Sequence, residues 1–193
     1  MEKSEENKKI KQQRLLETAF HLFTEKGVEN TSIQEIVDEA NVAKGTFYLY
    51  FKDKYDIRNV LITSKSQQLF HDALESLHHN YINSFSDQII FVINYVIDEL
   101  IKEPLLLKFI SKNLSSGIYN NALKIEEGKD SLYQLFIKGI EENHINLTNP
   151  EITLFMIIEL VSSTCFHTIL YKEPIKIEEF KPFLYDTIRD MLK

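Results

Sequence analysis

The sequence predicts an all-α chain: a three-helix N-terminal domain with a helix-turn-helix, then a larger helical domain, about nine helices together. Three observations predict this. Apolar residues recur at helical spacing in one segment after another, and no run of alternating, strand-like segments appears. Gly and Pro are scarce, five and four among 193 residues, so few positions force a break. Thr31 to Phe51, TSIQEIVDEANVAKGTFYLYF, reads as two short helices across a tight turn, the unit that places a recognition helix in a DNA major groove.

The elements follow in order. Lys8 to Lys26 is expected as the first helix, with Leu16, Ala19, Phe20 and Phe23 as its apolar stripe and Gly27 as its C-terminal cap. Thr31 and Ser32 are hydroxyls able to cap the second helix, whose face is Ile33, Ile36, Val37 and Ala40. Asn41 suits the turn because Asn tolerates the left-handed conformation. Lys44 opens the third helix, which carries Phe47 and Phe51 inward and Lys44 and Tyr48 outward. Lys54 to about His79 reads as a long connector. A fifth helix, capped by Ser86 or Asp87, runs to about Glu103. Pro104 precedes a sixth over Leu105–Leu114. A seventh spans Asn121 to about Asn143, an eighth Pro150 to about Tyr171, and a ninth Ile177–Leu192. The expected domains are 1–53 and 54–193, with the helix-turn-helix at about 32–51.

The net charge of −7 argues only superficially against nucleic acid, because residues 1–54 carry nine Lys/Arg against ten Asp/Glu and leave −6 to the remainder. Lys8, Lys9, Lys11 and Arg14 cluster before the first helix's apolar run, and Lys44, Lys52 and Lys54 around the third helix. A locally basic face on an acidic chain is compatible with DNA. Cys165 is the single cysteine, so no intrachain disulfide is expected and a reducing cytoplasm fits. The polar start from Met1 to Lys9 does not read as a secretory signal. The longest apolar runs, Ile89–Ile97 and Ile152–Val161, are broken by Asn94 and Glu159 and fall short of about 18 residues, so no membrane partner is expected. No HExxH-type spacing and no Gly-rich phosphate loop occur, so no catalytic residue, metal or cofactor is expected. Cys165 reads as a buried structural thiol.

RLLETAFHLFTEKG, TSIQEIVDEANV, KGTFYLYF and KDKYDI together resemble the TetR family of bacterial transcriptional regulators (TetR/AcrR-like), over Arg14 to Ile57. The resemblance implies a role for each matching residue. Ser32 is the phosphate-contacting cap of the second helix, and Gln34 reaches a base edge. Lys44, Gly45 and Thr46 form the leading end of the recognition helix. Tyr48 and Tyr50 contact phosphate or sugar through their hydroxyls, and Lys54 clamps a phosphate. Val37 stands for the usual Ala and Asn41 for the turn Gly. Ala43 replaces the usual Ser or Thr cap, a loss of about 1 kcal/mol. Leu49 stands where His is common and can touch a thymine methyl.

The resemblance also implies that the larger domain is a ligand-binding and dimerisation domain, with a homodimer in which the last two helices pair as a four-helix bundle through Phe155, Glu159, Ser163, His167, Phe180, Phe183, Leu184 and Ile188. A small-molecule effector, apolar or cationic, is expected among the fourth to eighth helices. Phe70, Phe91, Tyr95, Phe109, Tyr133 and Phe136 are its expected apolar wall, and Asn94, Asp98, Asn113 and Glu159 its polar contacts. The expected function is a ligand-responsive repressor on a palindromic double-stranded DNA operator. A nucleoid-associated or division-linked DNA-binding protein is the alternative, and a helical enzyme or carrier with a vestigial DNA domain is the third reading.

Overall fold

The computed structural model describes residues 2–110 and 131–193. Among them are nine α-helices and no strand: α1 (Glu2–Lys26), α2 (Ile33–Glu39), α3 (Lys44–Tyr50), α4 (Lys54–His78), α5 (Phe85–Lys102), α6 (Pro104–Ile110), α7 (Leu132–Glu142), α8 (Pro150–Leu170) and α9 (Ile177–Met191). They form two compact units, Met1–Ser64 and Lys65–Lys193, which divide within α4. The sequence put the division ahead of α4, at 53/54. The first turns of α4 cluster with the first unit, where Ile57 and Leu61 are buried.

In the first unit α1 packs on α2 and α3. Its buried face is Leu15, Ala19, Leu22 and Phe23, whereas Leu16 and Phe20 are half-buried. The face is therefore turned by about one residue from the expected stripe. α1 also begins at Glu2, earlier than expected at Lys8. Glu, Lys and Gln are good helix formers and sustain exposed turns without burial. Gly27 takes φ +86° and its N–H reaches the Phe23 carbonyl at 3.1 Å, ending the helix in the left-handed conformation. Ser32 and Glu35 form a reciprocal capping box at the start of α2. Asn41 closes the turn at φ +53°. Ala43 gives α3 no side-chain cap. Phe47 and Phe51 seal the inner face, their ring centroids 5.6 Å apart.

In the second unit α8 is the central element and packs on α5, α6, α7 and α9. It is long and apolar enough to cross a membrane by length and composition, which the sequence reading had denied to every segment. Here one of its sides instead lies against four helices, with Leu154, Ile157, Ile158, Val161 and Cys165 buried. Asn149 caps α8 by accepting from the Ile152 N–H at 3.0 Å, and Pro150 occupies the first turn, where its missing N–H costs nothing. α5 begins at Phe85 rather than after Ser86 or Asp87, because Gln88 N–H bonds back to the Ser84 carbonyl. α7 begins after Ser131, which forms a capping box with Gln134. The earlier part of the expected seventh helix and the end of the sixth lie outside the described residues. Gly139 is required by packing: an added Cβ would overlap the Phe85 ring, which itself stacks on Phe136 at 5.9 Å.

Candidate functional site

On α3 the helical wheel divides sharply. Phe47 is fully buried, while Tyr48 is 52% and its neighbour Leu49 79% exposed. Lys44 and Gly45 are exposed and Thr46 is half-buried. A Cβ added at Gly45 meets nothing within 4 Å, so packing inside the chain does not demand glycine there. The gap leaves room for an outside backbone to approach. At the start of α2, Ser32 Oγ accepts from the Glu35 N–H at 3.2 Å and donates to Glu35 Oε2 at 2.8 Å. Gln34 is exposed and donates to Asp38 Oδ1 at 2.8 Å.

The acids of α2 are partly neutralised. Lys26 Nζ lies 2.5 Å from Glu35 Oε1. That ammonium, followed by the Ser32 backbone N–H and hydroxyl, holds the Glu35 carboxyl at about 2. The carboxylate stays charged and bonded at any ordinary pH.

Two expected DNA contacts are engaged inside the unit. Tyr50 Oη donates to the Lys8 carbonyl at 3.0 Å and ties α3 to α1. Lys54 Nζ donates to the carbonyls of Val28 (2.9 Å), Glu29 (3.0 Å) and Thr31 (3.3 Å), with the Glu29 carboxylate at 4.0 Å. Its side chain is only 20% exposed. Lys54 is thus a brace for the loop between α1 and α2, where the sequence expected a phosphate clamp. A lysine opening a helix reads as a surface cation, and only the fold brings residues 28–31 back under it.

The second unit contains an apolar cavity of about 40 Å³. It is lined by Phe70 of α4, Ile89, Val92, Ile93 and Val96 of α5, Leu132 of α7, and Leu154, Ile157, Ile158 and Val161 of α8. Of the expected effector contacts, Phe70 alone is among these lining residues. Phe136 is fully buried in the core against Phe85. Asn94 and Asp98 belong to a network that bridges α5 and α9: Lys181 Nζ donates to Asp98 Oδ1 (2.5 Å) and Asn94 Oδ1 (2.8 Å), Tyr185 Oη to Asn94 Oδ1 (2.6 Å), and Asn94 Nδ2 to Asp98 Oδ2 (2.8 Å). Burial, then the Asp98 charge, pushes the Tyr185 hydroxyl well above its ordinary value. Tyr133 Oη donates to Glu151 at 3.1 Å. Phe91, Tyr95, Phe109 and Glu159 are half-buried away from the lining, and Asn113 lies outside the described residues. The sequence reading sought aromatic and polar contacts. The aliphatic stripes 89–92–93–96 and 154–157–158–161 were visible as helix faces, but not as facing one another.

α8 also presents an outer face. Ile152 is 53%, Phe155 40% and Met156 46% exposed. Ser163 and His167 are exposed on the same helix, and Glu159 is half-buried. On α9, Phe183 is 67% exposed and Phe180 half-buried. Leu184 and Ile188 were expected at a dimer face, yet they are 2% and 0% exposed. They share a stripe with Ile177 that turns inward, since α9 packs on α5 and α8.

Cys165 is buried, and burial pushes its thiol up to about 12. Among the described residues, His71, Asp72 and Glu75 of α4 form the one group whose ligand atoms, within 4.8 Å of each other, could hold a metal. His71 and Glu75 are exposed, and Asp72 accepts from Gln68 Nε2 at 2.7 Å.

Residues 15–61 match the family model of bacterial regulatory proteins, tetR family. An HTH-type transcriptional regulator of Staphylococcus aureus (strain USA300) is 25% identical over 182 residues, 94% of each chain. A TetR-family transcriptional regulator from Syntrophomonas wolfei has the same fold, with a TM-score of 0.72 at 19% identity over 95% of each chain. So does the transcriptional regulator FadR from Bacillus subtilis, in complex with stearoyl-CoA, with a TM-score of 0.66 at 18% identity over 94% of this chain and 99% of that one.

Proposed function

We propose that the chain is a transcriptional regulator of the tetR family, whose model its residues 15–61 match, that it represses from a palindromic operator as a homodimer, and that it is released by a small apolar effector. The observation that carries the DNA reading is α3: Lys44, Tyr48 and Leu49 stand out from a helix whose Phe47 is locked in the core. Gly45 beside them leaves space that no side chain among the described residues fills. A two-fold dimer sets two such helices about 34–36 Å apart, one turn of duplex. Phe155, Ser163, His167 and Phe183 are the interface residues this reading retains. The place of action is then the cytoplasm, with the chromosome.

The cavity's lining favours an apolar effector over a cationic one. No carboxylate stands among its lining residues to pair with a cation, and an unpaired charge there carries a large desolvation cost. The Bacillus subtilis neighbour's ligand, stearoyl-CoA, bears an acyl chain, which is compatible with such a wall. A volume of about 40 Å³ is far below the roughly 300–1,000 Å³ of ligand pockets, so an effector must part the helices that line it. One of those is α4, whose first turns belong to the DNA-binding unit. Effector and operator then weaken each other reciprocally, typically by about 1–3 kcal/mol.

The test uses a duplex selected by the full-length protein from a random library. Lys44→Ala and Tyr48→Phe should weaken its binding without lowering the melting temperature. Wild-type affinity in both variants would sink the assignment.

A further inference from the structure

We infer that the N-terminal half of α1 is a second DNA-contacting element, in which Lys8 and Lys11 bind backbone phosphates at the groove edge and Tyr50 positions them. The inference rests on the DNA-binding reading of α3 and extends it to residues outside the helix-turn-helix.

Three observations carry it. First, α1 continues unbroken from Lys26 back to Glu2, so Lys8, Lys9, Lys11 and Arg14 sit on a rigid helix. Second, helical periodicity orients them. The face that α1 buries against α2 and α3, Leu15, Ala19 and Leu22, is continued towards the N-terminus by Lys8 and Lys11. Glu5 stands at the edge of that face, one turn ahead of Lys8; Lys9 and Arg14 lie to either side of it, and Glu6 points to the opposite side. Third, the Tyr50 hydroxyl donates to the Lys8 carbonyl at 3.0 Å. This bond across 42 residues pins the basic turn of α1 beside the last residue of α3.

The geometry then selects the partner. A seven-residue helix is roughly 10 Å long, close to the roughly 12 Å width of the major groove. A segment bonded to the last residue of α3 therefore lies at the wall of the groove, where phosphates stand. Lys8, Lys9, Lys11 and Arg14 are all exposed, and none makes an ion pair among the described residues. Their charges are available for a polyanion. Phosphate contacts hold register without reading sequence, so this segment adds affinity to the bases read by α3. Tyr50 is then a positioning residue. Its hydroxyl is spent on α1, and it acts on DNA through Lys8.

The experiment measures binding of the full-length chain to two duplexes of about 30 base pairs, one selected from a random library and one of random sequence. Salt is varied from about 50 to 200 mM. Each phosphate contact contributes about 0.9 to the slope of log K against log[salt]. Lys8→Gln with Lys11→Gln keeps the backbone carbonyl that Tyr50 holds. It should make the slope shallower by about 0.9 per lysine removed and lower affinity at least about ten-fold on both duplexes. Tyr50→Phe removes no charge, yet it should also flatten the slope by releasing the segment, with helix content and melting temperature near those of the wild type. Unchanged slopes in the double variant overturn the inference while the role of α3 stands. A loss confined to the selected duplex also overturns it, since that is base readout. If the wild-type chain binds neither duplex, the DNA-binding reading falls and this inference falls with it.

Discussion

On α3, one step along the chain separates fully buried Phe47 from Tyr48, half of which is open. On α8, one step separates buried Leu154 from Phe155, which is 40% exposed, yet both are apolar. On the first helix the 3.6-residue period sorts core from surface, placing Phe47 inside although Leu49, also apolar, is 79% exposed. The second is apolar all round, so residue type sorts nothing, and its inner and outer sides are distinguished only by what packs on them. The same contrast separates the two proposed sites. The DNA face is a set of neighbours on one short helix, whereas the cavity is assembled from α4, α5, α7 and α8.

Substitutions on adjacent residues break this comparison most directly. Phe47→Ala should cost about 3–5 kcal/mol through the cavity it leaves, and a thermal melt should show it. Tyr48→Ala should stay within about 0.5 kcal/mol of wild-type stability while binding to a selected operator falls. If the two variants melted alike, the division of α3 into core and surface would be wrong. On the apolar side, Gly139→Ala forces a methyl into the Phe85 ring and should cost about 1–3 kcal/mol by overpacking, measured by denaturant unfolding. Phe183→Asp, at a position 67% exposed, should leave the protomer folded and convert a dimer to monomers in sedimentation. A folded variant that still sediments as the wild type would remove Phe183 from the interface.

Smaller effects sharpen the capping box. Ser32→Ala should cost about 1 kcal/mol. Glu35 is held at about 2 against an ordinary 4.5. Its depressed value adds stability above about 4.5, and that stability is lost as pH falls through about 2. Glu35→Gln should therefore flatten the acid limb of the first unit's unfolding curve, and added salt should shrink the difference because the pair is exposed. The smallest expected signal is at Cys165. With its thiol pushed up to about 12 by burial, alkylation at neutral pH should be negligible in native protein and rapid in denaturant.

Much of the first unit was legible in the sequence because its determinants are local. Gly27, Ser32 with Glu35, and Asn41 each act through their own backbone or a residue three or four positions away. The exceptions are long-range. Lys54 reaches back to residues 28–31, and Tyr50 reaches Lys8. Both looked like free surface groups, because nothing in a linear pattern signals a carbonyl arriving from elsewhere. In the second unit the helices were mostly recognisable, but Asn94 and Asp98 looked like ligand contacts and proved to be held by Lys181 and Tyr185 of α9. Polar interruptions of an apolar run signal that a partner exists, not which one.

The sequence by itself determined that the chain is helical, where α1 ends and where α2 and α3 begin, and which side of α3 faces out. These follow from backbone capping and from the 3.6-residue period, both properties of short stretches. Tertiary structure alone decided that α8 has one inner and one outer side, that the aliphatic stripes of α5 and α8 meet around a cavity, and that Leu184 and Ile188 belong to the core. Apolar side chains gain the same free energy against any apolar neighbour. Which neighbour each meets is settled only when helices distant in sequence pack together.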